Sequence, residues 1–245
     1  AAAGILVATS GVAGAFFLNG VSFVAVLLCL FLMDVALIRR TGAGGESARD
    51  LLGGARFLRE NPVPRAIMTL VSLSALLAMP YHVLIPIFAK EILGRGVGGY
   101  GVLMSAAGIG AVLGSLVSAS PGVGTRKGSA VTAGSLTFPF LLMAFAFCRS
   151  YAGAILLLVA IGFAFVLQNA PANSLLQHLV PDHLRGRVMA LYVSLFLGLM
   201  RLGGLLLGGL ASVTSAPVAL AALSGAGLLV GLWVRFRYPE LSRSA

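Results

Sequence analysis

The chain has 245 residues, of which 59% are hydrophobic and only 10% charged, and its formal net charge is +10. So few charged groups cannot cover a water-soluble globule, which excludes a soluble enzyme, whereas a bilayer asks for about 20 apolar residues per helical crossing. The excess cations flank apolar stretches, where anionic headgroups hold them, so the basic balance does not point to nucleic acid.

In chain order, apolar stretches long enough to cross a bilayer fall at residues 13–38, 66–88, 99–118, 129–147, 152–176, 188–213 and 218–234. The expected fold is therefore all-α and integral to the membrane, with seven transmembrane helices. The loops between them alternate sides. One side holds 13 of the 17 cations; the other holds Lys90, Arg95 and Arg149, and Arg201 lies inside a span. That asymmetry places the first side, and the C-terminus, in the cytoplasm. Cys29 and Cys148 differ in depth and suggest neither a disulfide nor a metal site. The chain begins at Ala1 with no basic segment before an apolar run, so it reads as a fragment of something longer.

The first span leads into the only long loop, residues 39–65, which opens on Gly42, Gly44 and Gly45. From Glu46 to Glu60 it turns helical. Leu51, Leu52, Ala55 and Leu58 share one side and Arg49, Arg56 and Glu60 the other, which predicts a short helix lying on the membrane surface. Asn61, Pro62 and Pro64 end it. Further on, Gly-x-x-x-Gly-x-Leu-x-Ser occurs twice, at Gly110, Gly114, Leu116 and Ser118 and at Gly204, Gly208, Leu210 and Ser212. Three spans separate the copies, the spacing of a three-plus-three inverted repeat. Glycines at Gly110, Gly114, Gly204 and Gly208 also let helices pack closely.

Three stretches carry a family resemblance. The run from Val180 through Asp182, Arg185, Gly186 and Arg187 to Leu191 resembles the cytoplasmic loop before the eleventh helix of major facilitator superfamily exporters. Residues 54–62 are similar to that superfamily's central loop, and residues 84–110 to its seventh and eighth helices, particularly in the branch of enterobactin exporters. The resemblance implies the C-terminal part of a twelve-helix major facilitator fold. Residues 1–38 would be the end of helix five and helix six, residues 39–65 the central loop, residues 66–234 the C-terminal six-helix half, and residues 235–245 a cytoplasmic tail. It implies a secondary active transporter in the inner membrane, exchanging protons for a small organic molecule, drug or siderophore. The partners would be the missing N-terminal half, that small-molecule substrate, protons and membrane lipids. One departure is the loop at residues 120–128, which lacks the Asp of an acidic-and-basic loop signature. A self-contained seven-helix sensor or receptor would share the same topology.

Polar residues inside spans nominate the site. Arg201 is far from both ends of its span, where an Arg costs at least about 2.5 to 3.5 kcal/mol and must face a cavity or a partner. It contacts either substrate or a structural partner. Asp34, the only acid in a span, lies at a different depth. His82 stands between Pro80 and Pro86, where the helix loses backbone bonds; it suits proton coupling or a hydrogen bond near the interface. Asn169 and Asn173 recur at helical spacing with Gln177, and Gln168 sits a third of a turn away, so they line a pathway or bond between helices. Asp182, Arg185, Gly186 and Arg187 form a loop motif that braces helix ends or locks the inward face. HExxH, phosphate-loop, Gly-x-Ser-x-Gly and paired intramembrane carboxylate signatures are all missing from the sequence, so neither an enzyme nor a cofactor is expected.

Overall fold

The computed structural model describes residues 2–33, 49–124 and 126–243. Asp34, the pair Arg39 and Arg40, the glycines at 42, 44 and 45, and Thr125 lie outside the described residues. The chain divides into two units, Ala1–Ser47 and Ala48–Ala245. The first contains α1 (Ala2–Phe31), apolar on every side, with Phe16, Phe17, Phe23 and Leu28 all exposed. A helix of that composition needs lipid or other helices around it.

In the second unit, α2 (Arg49–Glu60) ends just before α3 (Pro62–Leu77). Pro62 and Pro64 do not simply stop the preceding helix. They open the next one, because the first helical turn has no use for a proline's missing N–H. After α3 the chain continues as a 3-10 turn, Met79–Val83, a short α segment, Ile85–Ile87, and a π segment, Phe88–Ile92. Pro80 and Pro86 each remove a backbone donor, which accounts for the broken path. Then come α4 (Val97–Ser118), α5 (Lys127–Phe147), α6 (Tyr151–Leu179), α7 (Asp182–Val213) and α8 (Ala216–Arg237). Among the described residues, six stretches are long and apolar enough to cross a membrane: Pro62–Ile92, Gly98–Ser118, Lys127–Ala146, Tyr151–Leu179, Asp182–Val213 and Ala216–Arg237. In α1 a shorter apolar stretch, Phe16–Phe31, accompanies them.

Two buried clusters mark the two ends of this bundle. One gathers Leu58, Ile67, Val131, Leu176, Val188 and Val234, and the other Phe88, Leu103, Phe145, Leu158 and Leu220. Arg59, Arg65, Lys127, Arg185 and Arg235 flank the first cluster; Lys90, Arg95 and Arg149 flank the second. Two of these cations cover aromatic rings, Arg65 over Tyr238 at 5.4 Å and Arg95 over Tyr151 at 5.0 Å, which fixes side chains at the helix ends.

Helices meet through backbone. A Cβ on Gly110 would collide with the Val159 carbonyl and one on Gly162 with the Ala107 carbonyl, so α4 and α6 touch along their main chains. Lipid and core are equally apolar, and close packing of this kind is what holds membrane helices together. Gly114 joins the same contact, against Phe163. The second copy of the glycine pattern sits differently: Gly204 has only Val83 at 3.9 Å and Gly208 has no neighbour within 4 Å, whereas Gly203, one residue earlier, meets Leu76 and Pro80 of α3 and its extension.

The amphipathic helix α2 rests on the start of α7. Its buried side is Gly54 and Leu58, and Leu52 is 68% exposed, so the packed face is rotated from the stripe the leucines suggest. The cause is Gly53 and Gly54, whose missing side chains let Leu184, Arg187 and Leu191 approach. Because Leu191 Cδ1 already stands 3.2 Å from the position of a Cβ on Gly54, Gly54→Leu is expected to cost about 1–3 kcal/mol of docking. Limited proteolysis should then cut within residues 49–60 several times faster than in the parent protein.

Candidate functional site

α6 and α7 are consecutive, joined by Val180 and Pro181 alone, yet they pack on different neighbours. α6 lies against α4 and α5, and α7 against α3 and α8. Their divergence opens a groove of about 710 Å³, within the size range of small-molecule sites. From α6 it receives Phe165, Asn169, Asn173, Gln177 and His178; from α7, Arg185, Tyr192 and Phe196.

The groove is polar along one wall and aromatic along the other. Gln177 Nε2 donates to Asn173 Oδ1, and Tyr192 lines the groove with Asn173. Asn169 Nδ2 donates to the Phe165 carbonyl at 3.0 Å, which leaves its Oδ1 free to accept. The Tyr192 and Phe196 rings are parallel, with centroids 6.4 Å apart. At one mouth, Arg185 pairs with Asp182 at 2.7 Å and its Nε donates to the Gln177 carbonyl at 3.1 Å. That bond ties the end of α6 to the start of α7. No carboxylate is among the lining residues, so the wall offers amides, rings and a cation to whatever enters.

The sequence-nominated residues separate into groups. Asn169 and Asn173 line the groove. Gln168 does not: it is fully buried and turns toward α3, where Ser74 Oγ donates to its Oε1 at 3.4 Å. Arg201 is exposed on α7, outside the groove, with no hydrogen bond or ion pair among the described residues. His82 is half-buried in the 3-10 turn, its Nδ1 2.8 Å from the Met79 carbonyl. The motif Asp182, Arg185, Gly186 and Arg187 is not a loop but the first turns of α7. Asp182 sits where the N-terminal end of the helix dipole favours an acid, and Arg187 lies under Gly53 of α2.

Tyr192, Phe196, Phe165 and His178 were not singled out by sequence. A signal existed. In an antiparallel pair hinged at Val180 and Pro181, residues equidistant from the hinge come level, which pairs Phe165 with Phe196 and Asn169 with Tyr192 and leaves Gln177 one position out of step with Arg185. The four-residue spacing of Tyr192 and Phe196 repeats that of Asn169 and Asn173, so both faces of the groove are written at one helical period.

A bundle with six membrane-length helical stretches among the described residues, two of its helices parting around an amide-lined recess, belongs to the class of multi-pass membrane proteins. The chain is a member of the major facilitator superfamily, in the family described as transmembrane secretion effectors, whose model matches residues 1–244. It is similar to the enterobactin exporter EntS of Escherichia coli O1:K1, with 28% identity over 93% of this chain and 54% of the relative. It is also similar to EntS of Citrobacter koseri, with 28% identity over 98% of this chain and 57% of the relative. The chain thus spans about half the length of the curated relatives it matches. The family is one of transporters rather than enzymes, and membership in it goes against a self-contained sensor.

Proposed function

We propose that this chain supplies the C-terminal portion of a proton-coupled exporter of a small organic molecule, and that the groove between α6 and α7 is one wall of its substrate path. The observation that carries the reading is the placement of Asn169, Asn173 and Gln177 in a recess of ligand size, on a helix that is otherwise largely apolar. In this reading an N-terminal half closes the groove and gives Arg201 an acid or the substrate to contact. The cation-rich end of the bundle faces the cytoplasm, following the positive-inside rule, with the C-terminus on that side. His82, at the break in the extension of α3, is the candidate for proton coupling.

The test uses everted vesicles from cells expressing the complete protein. A panel of fluorescent aromatic compounds should accumulate when a proton gradient is imposed and stop when a protonophore collapses it. Replacing Asn169 and Asn173 together by Ala should lower that accumulation roughly ten-fold, about what losing one or two hydrogen bonds to a bound ligand costs. Accumulation that ignores the gradient would remove the proton coupling, and accumulation unchanged in the double variant would remove the groove.

A further inference from the structure

Where α3, α5, α6 and α8 meet, a second cavity of about 10 Å³, sharing no lining residue with the groove, is lined by Ser74, Ser135, Pro139, Gln168 and Gly227. Roughly 10 to 15 Å³ is the room one water molecule needs. Two unfilled hydrogen-bonding groups face this junction from different helices. Gln168 is 0% exposed, and its Nε2 has no protein partner although Oε1 is engaged by Ser74. Turning the amide over exchanges the two atoms and still leaves one end of the side chain unpartnered.

The other group is backbone. Pro139 lies inside α5 and has no N–H to return to the carbonyl of Ser135, four residues earlier. The Ser135 hydroxyl cannot serve as a donor into the cavity, because it is given to the Thr132 carbonyl at 2.8 Å. Its carbonyl oxygen lies on the side of α8, 2.9 Å from the position a Cβ on Gly231 would take. An amide donor and a freed carbonyl acceptor therefore border one space that admits a single small molecule able both to accept and to donate. A cation is the wrong occupant, since no carboxylate lines the cavity and an N–H donor repels it.

We propose that this cavity binds one ordered water molecule, which accepts from Gln168 Nε2 and donates to the Ser135 carbonyl, with the Ser74 hydroxyl as its third partner. Three polar partners is the usual complement of a buried water. The water stands in for the backbone bond that Pro139 removes, and it ties that break in α5 to α3 and α6. Freed backbone groups in transmembrane helices are met in this way by side chains and ordered waters, since hydrocarbon offers no substitute.

The test is a structure of the complete protein resolved finely enough to show ordered water. One peak is expected within hydrogen-bonding distance of the Gln168 side chain and the Ser135 carbonyl, and it should vanish in Gln168→Leu. A Gln168 amide bonded only to protein groups, with no peak beside it, would overturn the proposal. So would a peak that persists unchanged in Gln168→Leu. The parent structure decides even if the variant fails to fold.

Discussion

Arg201→Ala in the complete protein is expected to reduce export roughly ten-fold or more while raising, not lowering, the resistance of the protein to thermal denaturation. The two signs have separate causes. Arg201 lies on α7, 12 residues or about 18 Å from its C-terminal end at Val213, and it is exposed without a hydrogen bond or ion pair among the described residues. A guanidinium at that depth costs at least about 2.5 to 3.5 kcal/mol to insert, which Ala does not. If the cation is retained for contact with an anionic group during transport, losing a charged hydrogen bond of about 1.5 to 3 kcal/mol lowers the rate ten-fold or more. Arg201→Lys should keep part of the activity, because it keeps the charge and loses only the fork of donors. A variant that melts earlier and exports normally would assign Arg201 to structural pairing instead.

The largest effects on folding are expected at three glycines. Gly110→Ala and Gly162→Ala each drive a methyl into a carbonyl across the α4–α6 contact, and Gly203→Ala does the same between α7 and the end of α3. The nearest obstacle in each case is a backbone carbonyl oxygen, which cannot rotate away, so each change should cost about 1–3 kcal/mol and the Leu equivalents should prevent assembly. Gly225→Ala is the control: no atom lies within 4 Å of its Cβ position, and its effect should stay within about 0.5 kcal/mol. Fluorescence-detected melting of the detergent-solubilised protein reads all four. Equal behaviour of Gly110→Ala and Gly225→Ala would mean the helices are not in backbone contact.

These contrasts also mark what the sequence could convey. Hydropathy located the six stretches of crossing length among the described residues, because the length of a crossing is set by the bilayer, while the first expected span shows only the shorter apolar stretch Phe16–Phe31 there. Facing was harder to read. In a soluble helix the polar side points outward, but in lipid Leu156 at 71% exposure and Leu158 at 0% are chemically alike, so periodicity in α6 does not say which leucine is inside. Polar residues broke that degeneracy only where they stood alone. Asn169 and Asn173 indicated the groove, while Gln168, one position away, turned out to face the packed core. Helix starts were misjudged at Pro62 and Asp182 because Pro and charged residues, normally loop signals, are also the preferred occupants of a first helical turn. The groove's second wall depended on α6 and α7 parting from each other, a tertiary event that neither helix records by itself.

The central claim is that the recess between α6 and α7 is a water-accessible path through the membrane, and labelling at Asn173 tests it most directly. With Cys29 and Cys148 replaced, Asn173→Cys in the complete protein should react with a water-soluble maleimide. Leu229→Cys, on the exposed face of α8 at comparable distance from the same end of the bundle, should not. Reaction at Asn173→Cys that slows when a transported compound is added is the predicted result. An Asn173→Cys thiol as inert as that of Leu229→Cys would show that the recess is closed to water and contradict the account.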